Sequence, residues 1–131
     1  MPFPIMPTFD LDAESDSLAG NSDNANRPGL LSAGQYGPKV GVYRLLKLLD
    51  ETAIPATFFV PGWVAEKYPA ALSAIAAGGN EIAHHGYTHQ SPSTFPNRKA
   101  EEAELVRGIE SLMRATGKKP LGYRSPSGTS L

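Results

Sequence analysis

The sequence predicts an α/β fold on parallel strands, and three observations lead there. Short β-branched and aromatic runs alternate with segments of helical period, in the order β-α-β-α-β-α-β. Alternation of this kind joins parallel strands through right-handed crossovers. The residues with chemical potential fall where each predicted strand ends, and in such sheets function collects at the C-terminal strand ends. The length of 131 residues suffices for one domain with its own core.

The first strand is the second half of Phe3 to Asp12, closing in Thr8-Phe9-Asp10-Leu11-Asp12. Residues two apart on a strand face the same way, so Asp10 and Asp12 are expected to project together. Residues 13 to 37 are rich in Ser, Asn, Asp and Gly and read as a long loop. Glu14, Asp16 and Asp23 are expected to be solvated there, with Glu14 close enough to the site to count as a minor candidate. Val40 to Thr52 places Val42, Leu45, Leu46 and Leu49 at helical spacing. Ala56 to Val60 is a short buried strand ended by Pro61-Gly62. Trp63 to Ala77 reads as a second helix stopped by Gly78-Gly79. Glu81 to His84 is the third strand. Ser91 to Pro96 is loop, and Asn97 is the N-cap of a third helix whose apolar face is Val106, Ile109, Leu112 and Met113. The charges between residues 98 and 110 read as its solvated face. Leu121 to Arg124 is a fourth strand, followed by Ser125-Pro126-Ser127-Gly128.

All three histidines of the chain lie in Glu81-Ile82-Ala83-His84-His85-Gly86-Tyr87-Thr88-His89. His85 and His89 are four apart, a common spacing for two imidazoles on one metal. Gly86 and Thr88 are poor helix formers, so the pair is expected where a strand runs into a turn. His84 alternates with His85 and should face away, as a structural residue. Two imidazoles and one carboxylate suit Zn²⁺ or a similar divalent ion. Such a site acidifies water and polarises a carbonyl, and it needs a second carboxylate nearby as general base. An arginine beside that base keeps it ionised and oriented. The sequence offers Asp12, His85 and His89 as ligands, Asp10 as base and Arg124 as its orienter.

At this point the chain resembles the polysaccharide deacetylases of the NodB-homology type, carbohydrate esterase family 4. Thr8-Phe9-Asp10-Leu11-Asp12 is similar to their first motif, which carries the base and then a metal-binding aspartate. His85-Gly86-Tyr87-Thr88-His89 is similar to the second, which supplies two metal histidines. Arg124-Ser125-Pro126-Ser127 is similar to the third, whose arginine steadies the base and whose backbone N–H helps form the oxyanion hole. Ala56 to Gly62 is also typical of the second strand. The resemblance implies a metal-dependent hydrolase of C–N bonds, with Zn²⁺ as cofactor and an N-acetylated carbohydrate such as peptidoglycan as substrate. It assigns the oxyanion contact to the Ser127 backbone N–H. Trp63 becomes a candidate sugar-stacking platform, with a core or loop anchor as the alternative.

Three positions depart from the common pattern: Leu11 separates the aspartates, Gly86 follows the first histidine, and Ser127 stands where an aromatic is frequent. These variants resemble the subgroup of peptidoglycan deacetylases, allantoinase-like enzymes and cyclic-imide hydrolases, so a small cyclic amide is the rival substrate. The family fold is a distorted (β/α) barrel, which needs on the order of 200 residues or more. Residues 1–131 therefore read as the N-terminal portion of a NodB-homology domain, about the first half of the barrel. The family's acid is a later histidine, and none follows His89. The expectation is that this stretch alone turns over little, and that its exposed edge strands favour homo-oligomers. Two rivals from other classes are a haloacid-dehalogenase-type phosphatase and a non-catalytic metal- or sugar-binding domain. The phosphatase pattern is similar at Asp10-Leu11-Asp12 but wants Thr or Val where Glu14 stands.

A net charge of −1 gives no reason to expect a nucleic-acid partner. Without cysteine there is no disulfide or thiolate chemistry. Met1 to Pro7 lacks a basic n-region and holds too many prolines for a signal sequence, and no apolar run is long enough to span a membrane. The expectation is a cytoplasmic protein with no membrane partner, with export left open.

Overall fold

Three parallel strands order the molecule. In the computed structural model, which describes residues 3–128, β1 (Thr8–Asp10), β2 (Thr57–Val60) and β3 (Glu81–His84) lie in the order β1-β2-β3. Residues 1–2 and 129–131, the two ends of the expected domain span, lie outside the described residues. Asp10 pairs with Phe59, and Val60 pairs with His84. This register brings the strand ends, with their polar residues, to one edge.

The central strand alternates as the pleat requires. Phe58 and Val60 are fully buried, while Phe59 is half-buried on the opposite face. Phe58 and Val60 pack with Val64, Leu72, Ile75 and Leu112 from the helices. Each such side chain contributes about 1.5–3 kcal/mol by leaving water.

Residues 13 to 37 are not the expected loop. They wind into α1 (Ser15–Gly20), a 3₁₀ turn (Ser22–Asn26) and α2 (Pro28–Gly34). Their polar side chains close these turns locally. Ser15 Oγ donates to Asp12 O at 2.6 Å, Asn24 Nδ2 to Ser17 O at 2.7 Å, and Asp23 N to Asn21 Oδ1 at 2.9 Å. Composition alone does not separate such capped turns from an unstructured loop. A π-helical turn (Gly37–Gly41) then leads into α3 (Val42–Thr52), where Val42 and Leu49 are buried as expected.

The expected Trp63–Ala77 helix is two helices, α4 (Gly62–Lys67) and α5 (Pro69–Ala77). Pro69 is the cause: it excludes the residue before it from helical geometry, and Tyr68 sits at φ −125°, ψ 55°. The expected fourth strand reduces to one parallel bridge between His84 and Tyr123. His84 N donates to Gly122 O at 2.9 Å and Arg124 N to His84 O at 3.0 Å. Pro120, Gly122 and Pro126 around it leave too little regular backbone for a longer ladder.

α6 (Arg98–Thr116) is capped by Asn97, whose Oδ1 accepts Ala100 N at 2.9 Å, and ends at Gly117 with φ 71°. Of its expected apolar face, Leu112 is buried and Ile109 partly so, but Val106 and Met113 are exposed. The inward residues are Gly108, Ser111 and Leu112. Small residues are needed there because backbones meet. A Cβ on Gly62 would come within 2.8 Å of Gly108 Cα, and one on Gly108 would collide with His84 and with Gly86 O. No helix of the described residues is long and apolar enough to cross a membrane.

Candidate metal centre

Asp12, His85 and His89 converge. Asp12 Oδ1 lies 3.6 Å from Nε2 of each imidazole, and one ligand atom from each residue falls within 4.8 Å of the others. The Asp12 oxygen is buried, yet no donor among the described residues reaches it. A buried acceptor without a donor is costly, and a cation would satisfy it. Burial pushes the Asp12 carboxyl up despite the two imidazoles beside it. Burial likewise pushes His89 down, keeping it in the neutral form that coordinates metal. This donor set fits a divalent cation.

Both rings have a partner for the other nitrogen. His85 Nδ1 donates to Arg124 O at 2.8 Å, which turns the Nε2 lone pair toward Asp12. His89 Nδ1 faces Asp16 Oδ1 at 3.7 Å, so Asp16 is exposed as expected but stands at the site. The carbonyl behind His85 fixes its tautomer and raises its basicity, while the Asp16 carboxylate near His89 acts through its charge.

The backbone reaches this geometry through left-handed residues. Ala13 (φ 53°), His89 (φ 64°) and Ser127 (φ 63°) are three of the four described non-glycine residues with positive φ, and all three adjoin the site. The fourth, Ala53, ends α3. Gly86 turns the histidine loop at φ 76°. Non-glycine residues hold such angles only where their surroundings enforce them.

For the histidine loop the enforcing contacts come from two helices. Gly62 N donates to Gly86 O at 2.9 Å, and Trp63 N to Tyr87 O at 3.0 Å. Glu104 Oε1, on α6, accepts Tyr87 N at 3.2 Å and Thr88 N and Oγ1 at 2.5 Å each. Tyr87 Oη donates to Glu66 at 3.0 Å and accepts from Arg107 at 2.7 Å. Glu104 thus corrects the expectation that the 98–110 charges only face solvent. Its signal was position: it lies one turn before Gly108, on the helix stripe of small inward residues.

Asp10 sits beside the ligand set rather than in it, with Oδ2 4.0 Å from His85 Nε2. Arg124 Nη1 donates to its Oδ1 at 2.5 Å, while Nη2 donates to Thr8 Oγ1 at 2.7 Å. The guanidinium also lies 4.0 Å over the Phe59 ring. Asp10, Asp12, His85, His89, Arg124 and Ser127 line a cleft of about 490 Å³. Trp63 lines an adjoining cleft of about 160 Å³ with Leu18, Thr88 and Gln90, and Lys67 Nζ stands 4.6 Å over its ring.

Two expectations about acidic and basic neighbours come out differently. His84 does face away, against Tyr123 with centroids 5.3 Å apart, and burial pushes it down to about 4. Glu14 is not solvated; it is 1% exposed and accepts from Lys67 at 2.9 Å and from Tyr68 at 2.7 and 2.8 Å. Burial pushes its carboxyl up, but these hydrogen bonds outweigh that and hold it below its ordinary value. Sequence gave no sign of this, because Lys67 and Tyr68 lie more than fifty residues away.

A parallel α/β scaffold with an Asp-His-His cluster that could hold a cation, beside a carboxylate–arginine pair at its strand ends, defines the class. The chain belongs to the polysaccharide deacetylase family, whose model matches residues 35–131. A peptidoglycan deacetylase of Helicobacter pylori is 36% identical over 117 residues, 89% of this chain and 39% of the relative. A solved polysaccharide deacetylase structure from Mycobacterium smegmatis is 45% identical with a TM-score of 0.88, over 96% of this chain and 46% of that one. A solved allantoinase shares the fold at 22% identity and a TM-score of 0.77, over 95% of this chain and 46% of that one. The chain thus spans less than half the length of each.

Proposed function

We propose that residues 1–131 form the N-terminal, metal-binding portion of a NodB-homology hydrolase that removes N-acetyl groups from a carbohydrate such as peptidoglycan or a chitooligosaccharide. The observation that carries the reading is the convergence of Asp12, His85 and His89 beside the Asp10–Arg124 pair. The names of its relatives supply the substrate class. The donor set suits Zn²⁺ best, and the bound ion would supply Lewis-acid polarisation of the amide carbonyl and acidification of water.

The chain's own residues divide the remaining work. Asp10, outside the ligand set, takes the proton from the attacking water. Arg124 keeps Asp10 ionised and aims it, and is itself fixed by Thr8 and Phe59. His85 offers Nε2 because its Nδ1 proton is held by Arg124 O. One residue therefore orients both the base and a ligand. The Ser127 N–H, on a left-handed turn at the cleft rim, donates to the oxyanion. Trp63 serves a substrate that extends into the adjoining cleft.

The test measures acetate release from chitooligosaccharides and peptidoglycan fragments, and ring opening of a cyclic imide, with and without added Zn²⁺. Metal-dependent acetate release is expected, weak from residues 1–131 alone because no histidine follows His89 to serve as the acid. Imide opening without acetate release would move the substrate to cyclic amides. Metal binding with neither activity would favour a binding domain.

A further inference from the structure

We propose that Glu14 is a positioning residue that aims Asp12 and Asp16 at the two imidazoles, an inference that rests on the metal-centre reading above. The segment Asp12 to Asp16 serves two opposite directions within five residues. Asp12 faces the cleft and Glu14 faces the interior, and the residue between them, Ala13, takes the left-handed angle of φ 53°. Alanine does not choose that conformation by itself. Three contacts enforce it. Gly34 of α2 closes on the turn so tightly that a Cβ there would come within 2.8 Å of Ala13 O. Ser15 closes the turn from behind, with N and Oγ both donating to Asp12 O. Glu14 is the long-range anchor: both of its carboxylate oxygens are engaged at the C-terminal end of α4, by Lys67 and Tyr68.

The anchor acts on both sides of the ligand set. On one side it fixes the residue two before it, Asp12, whose Oδ1 meets both imidazoles. On the other it fixes the start of α1, where Asp16 stands behind His89. α4 is also the helix whose first N–H groups hold the histidine loop. Glu14 therefore ties the carboxylate ligand to the same six-residue helix that holds the imidazole ligands. If that tie is cut, Asp12 keeps its chemistry but loses its aim.

The test compares Glu14→Gln and the paired change Lys67→Met with Tyr68→Phe against Ile75→Val, a buried α5 control chosen to lower Tm comparably. Zn²⁺ affinity is measured by calorimetry well below each Tm, and the His89 ring resonances are recorded by NMR with no metal added. The expected result is a loss of Zn²⁺ affinity of about 10- to 100-fold for the Glu14 and paired variants. The control should lose none, and the metal-free His89 resonances should move in the first two variants only. Affinity within about two-fold of wild type with His89 unmoved would overturn the proposal. An equal loss in the control would overturn it too, by making the effect one of stability. If wild type binds no Zn²⁺ while His89 still moves with Glu14, the metal reading falls and the positioning role stands.

Discussion

The two walls of the cleft are built on different principles. The imidazole wall is one short stretch, His85 to His89, almost wholly buried and clamped through its backbone by α4 and by Glu104. The carboxylate wall is about a third exposed at Asp10 and Arg124, and its side chains are held by partners far away in sequence. Arg124 reaches Asp10 across 114 residues, and Lys67 reaches Glu14 across 53. Backbone clamping makes a rigid platform for ligands. Side-chain pairing leaves the Asp10 carboxylate open to solvent, as the proposed base needs.

The largest expected break falls on the carboxylate wall. Asp10→Asn should lower turnover by about 10²–10⁴-fold while Zn²⁺ affinity holds, as removal of a general base does. Calorimetry and acetate release on the same sample check both halves. Metal loss on changing Asp10, with Asp12→Asn indifferent, would exchange the two roles.

Next comes acid sensitivity behind the imidazole wall. The folded His84 pKa, about 4, lies below the ordinary 6.5. Between those values the unfolded chain takes up a proton that the folded chain refuses. Stability should therefore fall as pH drops from about 6.5 to about 4, by on the order of 3 kcal/mol, with no further loss from this group below that. Urea denaturation across that window should show the slope, and His84→Asn should flatten it.

Glu104→Ala should unlock the imidazole wall itself. It strands two backbone N–H groups, at a cost of about 2 kcal/mol in chemical denaturation. Exchange protection at Tyr87 and Thr88 should fall with it. Full protection in the variant would mean that α4 alone holds the loop. The smallest effect is expected at Trp63, outside the metal cleft. Trp63→Leu should raise KM for a long oligosaccharide by about ten-fold or less and leave a short one unchanged.

The imidazole wall is readable because its residues are contiguous and all three histidines of the chain fall within residues 84–89. The parallel order of β1, β2 and β3 was legible from alternation, and α3 from its spacing. The break at Tyr68-Pro69 was written in the sequence, but the apolar period on either side masked it. Only Leu112 of the inward face of α6 shows in the sequence, because a helix that touches backbone presents Gly108 and Ser111, which carry no hydrophobic signal. Glu14 is invisible as an anchor because its partners are set by the fold rather than by spacing, and Glu104 shows only through its place one turn before Gly108.

On the proposed reading, Asp12, His85 and His89 hold one divalent ion. The most direct test is metal content and Zn²⁺ affinity of the wild type beside His85→Ala, His89→Ala and His84→Ala, each checked for folding by circular dichroism. One Zn²⁺ per wild-type chain is expected, with stoichiometric binding lost in the first two variants and kept in the third. Equal behaviour of all three histidine variants, or no stoichiometric binding by a folded wild-type chain, would contradict it.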